Sequence, residues 1–152
     1  MGRADRTYVD PSALLKLYIH ELESAAMSAW RRRTRGSLPV TRHGRLELVN
    51  GICLAAFRKA ISAGARADAL ASLDEDFAVG RYVLADVLWR ATLRRAAELS
   101  REHTATLGCR TLDVLHVATA LELGLRSFVT FDRRQQALAR ATGLRVVAPQ
   151  RG

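Results

Sequence analysis

Residues 111–147, TLDVLHVATALELGLRSFVTFDRRQQALARATGLRVV, decide the fold. Thr111 reads as the cap of a helix ending at Gly124, a position where a left-handed residue commonly closes the last turn. Residues 127–131, SFVTF, are a short β-branched and aromatic run and form the clearest strand signal in the chain. Asp132 then caps a helix through Ala141, and Gly143 precedes a last strand over 144–147. Strands that alternate with helices need crossover connections, so the pattern predicts parallel pairing.

The same alternation extends upstream. Thr7, Tyr8 and Val9 form a short strand, Asp10 reads as an N-cap and Pro11 as the first helical residue, where a missing N–H costs nothing. A second helix is predicted over 20–33, with Leu22, Ala25, Ala26, Ala29 and Trp30 at helical spacing. Residues 38–40 read as an edge-like strand. Thr41 follows as the cap of a long helix whose apolar stripe is Leu46, Val49, Cys53, Phe57 and Ala60, with Glu47 off that stripe. Further on, the pattern predicts a helix over 65–73, a strand over 77–79 and a helix over 87–103 capped by Asp86, with a break at Gly108. The fold class expected is α/β: a mainly parallel sheet covered by helices on both faces, built as one domain over residues 1–152 with no repeat or linker.

With 152 residues the chain is long enough to bury one sizeable core. It contains no apolar run of about 18 residues, so no membrane span is expected. MGRADRTYVD passes into a strand without an apolar segment or cleavage site, and a cytoplasmic location is the expectation. Cys53 and Cys109 have neither metal-motif spacing nor a disulfide framework around them and are expected as reduced thiols. The formal charge of +9 favours a polyanionic partner, because neutralising phosphates releases counterions. Nearly all of the basic excess is arginine, since Lys16 and Lys59 are the only lysines.

Four acids stand out: Asp10, Glu47, Asp113 and Asp132. Each taken alone has a structural account. Asp10 and Asp132 suit N-caps, each stabilising by about 0.5–2 kcal/mol. Asp113 lies in a first helical turn, where the dipole favours it by about 0.3–1 kcal/mol. Glu47 suits a solvated helix face. Together they differ, because open α/β sheets gather ligands outside the carboxyl ends of their strands, where Asp10 and Asp132 both fall. An all-carboxylate set suits magnesium or manganese, and the histidine and cysteine clusters that zinc prefers are missing. Arg31, Arg32, Arg33 and Arg35 lie at a helix C-terminus, where the dipole alone favours cations. There is no GxxxxGK[ST] loop for a nucleotide phosphate.

YVDPSALLKLY at 8–18, the Glu47 helix, TLDVLHVATALELG at 111–124 and FVTFDRRQ at 128–135 resemble the successive motifs of the PIN domain, and more narrowly the VapC toxins of prokaryotic toxin–antitoxin pairs. The resemblance implies a three-layer α/β/α sandwich on a mainly parallel sheet of four to five strands. It also implies a magnesium- or manganese-dependent endoribonuclease. By that similarity Asp10 and Asp113 are the most direct metal ligands, with Glu47 and Asp132 completing the pocket directly or through water. Activated water would cleave the phosphodiester to a 5′-phosphate and a 3′-hydroxyl. Thr130 matches the family's ThrxAsp pattern. Ser12 and Thr130 are expected as supporting hydroxyls, although a local cap bond accounts for Ser12 equally well; Arg133 and Arg134, at a helix start beside the pocket, are candidate RNA contacts, and His116 is kept out of the catalytic set. Implied partners are RNA, a cognate VapB-like antitoxin, a second copy in a homodimer, and promoter DNA through the antitoxin only. The alternatives are an RNA-processing PIN nuclease without antitoxin and a nucleic-acid-binding module without chemistry.

Overall fold

Short apolar strands alternate with helices whose ends are marked by caps and glycines. A computed structural model describes residues 3–150. The ends of the domain expected over 1–152 therefore lie outside the described residues. A 3-10 turn leads into β1 (Thr7–Val9), α1 (Pro11–Leu15), α2 (Ser24–Arg33), β2 (Leu38–Thr41), α3 (Arg42–Phe57), α4 (Ala63–Ala78) and β3 (Tyr82–Ala85). α5 (Trp89–Leu99) continues through a π-helical stretch, Ser100–Thr104, into the short α6 (Ala105–Leu107). The chain then forms α7 (Thr111–Glu122), β4 (Ser127–Val129), α8 (Arg133–Ala141) and β5 (Arg145–Val147).

Every strand pair is parallel: β4 lies between β1 and β5, and β2 pairs with β3. β2 packs beside the other edge of β1, and Arg3 and Arg35, just ahead of both strands, form a parallel bridge. The strands thus succeed one another in space as β3, β2, β1, β4, β5, with ladder hydrogen bonds interrupted between β1 and β2. The order reverses direction between β1 and β4, which is where an α/β sheet opens a crevice at its carboxyl edge.

Alternation along the strands separates two cores. Tyr8 and Phe128 stack with centroids 5.4 Å apart and join Val114, Val117 and Leu138 on one face. Val9 and Val129 point the other way, toward Leu14, Met27, Leu38, Leu48, Ile52 and Leu73. Helices α1 to α4 cover the second face and α5, α7 and α8 the first, which is the α/β/α sandwich. Each fully buried Leu or Phe in these layers stabilises by about 1.5–3 kcal/mol.

Several sequence expectations are corrected. Residues 77–79 form no strand: α4 runs to Ala78, Phe77 packs edge-on against Tyr82, and the strand follows Gly80, whose φ of +78° ends the helix. Asp86 caps nothing and instead pairs with Arg42 at 3.1 Å, while α5 begins at Trp89. Thr111 is the first helical residue rather than the cap, which is Arg110. α2 starts at Ser24, leaving Leu22 80% exposed, because the Ser24 hydroxyl bonds Glu21 N–H and Ile19 C=O and turns the chain there. In α3 the buried line is Gly44, Leu48 and Ile52, whereas Leu46 and Phe57 of the expected stripe are 66% and 83% exposed. The helix stops before Ala60, where Lys59 takes a positive φ of 58°. Arg31 serves the fold, donating to the carbonyls of Thr34, Gly36 and Arg81.

Candidate active site

Asp10 leaves β1 as the N-cap of α1 and is 5% exposed. Its Oδ2 accepts the Ser12 N–H at 3.0 Å and the Ser12 hydroxyl, and its own N–H donates to Val129 C=O at 3.0 Å. That last bond ties the ends of β1 and β4 together. Beyond β4, Asp132 caps α8: Oδ1 accepts the N–H groups of Arg134 at 2.8 Å and Gln135 at 3.0 Å. Capping therefore accounts for how both aspartates are aimed, and it leaves oxygen lone pairs free.

Asp113 sits in the first turn of α7, with Arg110 Nε 3.2 Å from its Oδ2. Glu47 reaches across from α3, and its Oε1 lies 2.8 Å from His116 Nε2. The other ring nitrogen, Nδ1, is 2.5 Å from the Tyr8 hydroxyl. Burial, then the charges of Asp10 and Glu47, hold the Tyr8 hydroxyl well above its usual pKa, so it keeps its proton beside Nδ1. Nε2–H donates to Glu47. Burial pushes His116 down, but the Glu47 bond and the charges of Asp10, Glu47 and Asp113 outweigh it, and the net direction is up. His43 stacks on His116 at 5.3 Å and is pushed down to about 4 by burial and by His116.

The four acids expected to act together, Asp10, Glu47, Asp113 and Asp132, line one cavity of about 460 Å³ with Ser12, Arg110 and His116. An adjoining hollow of about 370 Å³ shares Asp113, Asp132 and Arg110 and adds Gly108, Arg133 and Arg134. Arg133 and Arg134 are exposed, and Arg134 is tethered by one guanidinium bond, 3.3 Å to Gly108 C=O. Thr130 faces inward rather than into the cavity. It is fully buried, accepts Asp132 N–H at 3.1 Å and donates to Gln135 Oε1 at 2.6 Å. A larger groove, about 820 Å³, opens elsewhere along α4, but at its wall Tyr18 and Arg81 both bond Asp76, and Tyr18 also bonds Tyr82.

Sequence reading missed two participants, Gln135 and Arg110. Gln135 is fully buried and its Nε2 donates to Asp10 Oδ1 at 3.0 Å and to Asp113 C=O at 3.3 Å. The signal available was its place three residues after a capping aspartate. His116, which the sequence reading kept out of the catalytic set, fastens Glu47 with Tyr8 behind it. Arg110 sits against Asp113, and nothing local distinguishes it from other surface arginines.

In kind, the donor set fits a hard divalent cation. All four groups are carboxylates, Asp113 Oδ1, Asp132 Oδ2 and Glu47 Oε2 carry no hydrogen bond among the described residues, and both His116 nitrogens are already used. Burial and the nearby Asp113 and Asp132 charges push the Cys109 thiol up, which disfavours thiolate ligation. As the side chains stand, no three Asp, Glu, His or Cys residues among those described close tightly enough to grip an ion. Arg110 holds one of the oxygens such an ion would need.

A PIN domain profile matches residues 7–141. Ribonuclease VapC46 of Mycobacterium tuberculosis is 31% identical over 148 residues, covering 93% of this chain and 96% of that one. Among solved structures, FitAcB from Neisseria gonorrhoeae superposes with a TM-score of 0.67 at 17% identity, covering 94% of this chain and 97% of that one. PAE2754 from Pyrobaculum aerophilum superposes with a TM-score of 0.59 at 23% identity, covering 94% and 84%. The sandwich, the acid-lined crevice at its strand ends and these matches lead to one conclusion: the chain belongs to the PIN domain family.

Proposed function

We propose that this chain is a metal-dependent endoribonuclease acting as the toxin of a VapC-like toxin–antitoxin pair. The observation that carries this reading is the cavity on which Asp10, Glu47, Asp113 and Asp132 meet, at the carboxyl ends of β1 and β4. The 31% identity with a protein named as a ribonuclease, over nearly the whole of both chains, supports the reaction class.

Asp10 and Asp113 are the direct ligands in this reading, and Glu47 and Asp132 complete the shell. Magnesium or manganese, when bound, supplies a lowered pKa for a coordinated water and neutralises charge on the phosphodiester. The chain's own work is orientation. Ser12 and the α1 amide hold Asp10, His116 holds Glu47, and the α8 amides hold Asp132. Arg133, Arg134 and Arg110 border the adjoining hollow and offer guanidinium groups to RNA phosphates. No side chain on the cavity is needed as a covalent nucleophile. The proposed setting is the cytoplasm, with a homodimer, a VapB-like antitoxin and promoter DNA engaged through that antitoxin. No helix among the described residues is long and apolar enough to cross a membrane.

The test is cleavage of RNA by purified protein with magnesium or manganese, with chelator, and with Asp113→Ala. Cleavage should require the ion and fall by at least about a hundredfold in the variant. Inducing the chain alone should arrest growth, and co-expressing the small neighbouring reading frame should relieve it. A folded Asp113→Ala protein that still cuts RNA would sink the metal mechanism. RNA cleavage by a protein whose gene has no small neighbouring reading frame would turn the assignment to RNA processing.

A further inference from the structure

We propose that Gln135 is a positioning residue of this site: its buried amide clamps the Asp10 carboxylate to the segments that carry Asp113 and Asp132. The inference rests on the nuclease reading above. Position 135 faces inward on α8 beside the buried Leu138 and Ala139, where packing alone calls for an aliphatic side chain. An amide there is stable only if its polar atoms are met, and they are. Nε2 donates to Asp10 Oδ1 at 3.0 Å and to Asp113 C=O at 3.3 Å, while Oε1 accepts from the Thr130 hydroxyl at 2.6 Å. Both nitrogen partners are pure acceptors and the oxygen partner is a hydroxyl, so the amide has one orientation.

The local sequence explains why this side chain is free to reach inward. Asp132 and Gln135 stand at the N-cap and third helical positions of α8, the spacing of a capping box. In such a box the glutamine turns back to accept the N–H of the capping residue. Here Thr130 Oγ1 already accepts Asp132 N–H at 3.1 Å, so the return arm is not required. The same hydroxyl donates its proton to Gln135 Oε1, which turns the NH₂ group toward Asp10. Thr130, Asp132 and Gln135 thus act together: one caps the cap, one caps the helix, and the third leaves the helix to hold an acid 125 residues away. With Ser12 on Oδ2 and Gln135 on Oδ1, the Asp10 carboxylate cannot rotate, and its remaining lone pairs are held in one direction.

Gln135→Met keeps the length of the side chain and removes the amide. Purified protein is compared with wild type by circular dichroism and melting, by calorimetric titration with manganese chloride alone, and by RNA cleavage. Manganese affinity and kcat should each fall on the order of tenfold to a hundredfold, the range for loss of an outer-shell partner, with KM moving far less and the folded spectrum kept. Affinity and kcat within about twofold of wild type would overturn the proposal. If Gln135→Met does not fold, Thr130→Val loosens the amide without deleting it. It should shift both quantities in the same direction by less, and no shift overturns the clamp. A thermal double-mutant cycle of Gln135→Met with Asp10→Ala, which removes the acceptor, run without metal, separates this inference from the nuclease reading. Non-additive effects support the clamp, and additive effects remove it. A wild-type protein that neither binds manganese nor cuts RNA removes the nuclease reading instead.

Discussion

Arg110 Nε lies 3.2 Å from Asp113 Oδ2, and the nearby Asp132 and Asp10 add to the pull that holds its guanidinium charged. Its side chain is 81% exposed, so the pair contributes little to folding, but it occupies a carboxylate oxygen on the cavity. Arg110→Ala is therefore expected to tighten manganese binding in calorimetry while leaving the melting temperature nearly unchanged. His43 behaves differently. Its pKa is depressed to about 4 by burial and by His116, so between the ordinary value near 6.5 and that point only the unfolded chain takes up the proton. Stability from this group is present above that window and lost as pH falls through it. His43→Phe keeps the ring against His116 and Trp89 but cannot titrate, so its melting temperature should drop less than that of wild type between pH 6.5 and 4. Of these residues, the aspartates were legible in the sequence as candidates because helix N-caps and first turns favour carboxylates. Arg110, His43 and His116 were not, because their roles depend on partners other elements supply.

The helix α8 shows how one element is built and what it delivers. Asp132 bonds two of its first N–H groups, and Leu138 and Ala139 anchor it against the sheet. Asp132→Ala should cost about 0.5–2 kcal/mol of stability from the lost cap, read as a lower melting temperature, together with weakened RNA cleavage. At this scale the sequence was most readable where punctuation was strong: Asp10 with Pro11, Thr41 before Gly44, Asp132 before α8 and Gly124 after α7 all stand at the ends expected. It was least readable in α3 and α4. α3 is apolar on more than one side, and only packing against α1 and α4 selects Gly44, Leu48 and Ile52 over Leu46 and Phe57 as the inner line. Residues 77–79 have strand-like composition, but Phe77 completes the helical line of Ala69, Leu70 and Leu73 that faces the core.

Across the molecule, the site depends on β1 and β4 lying side by side with their carboxyl ends level. Phe128 in β4 is fully buried and stacks on Tyr8, whose hydroxyl meets His116, which meets Glu47. Phe128→Ala should cost about 3–5 kcal/mol in denaturant unfolding. In whatever fraction stays folded, manganese affinity should also fall, because the support under Tyr8 and hence Glu47 is gone. The sequence by itself determined the parallel α/β order, the caps and the identity of the acids, since each is written in contiguous residues through propensity, turn chemistry and motif. Tertiary structure alone decided that Gln135 turns inward to Asp10, that Tyr8 and His116 hold Glu47, and that Arg110 and the acids share one cavity. Those contacts join residues 125, 108 and 69 positions apart, and no local rule specifies which side chains the closing of a sheet will bring face to face.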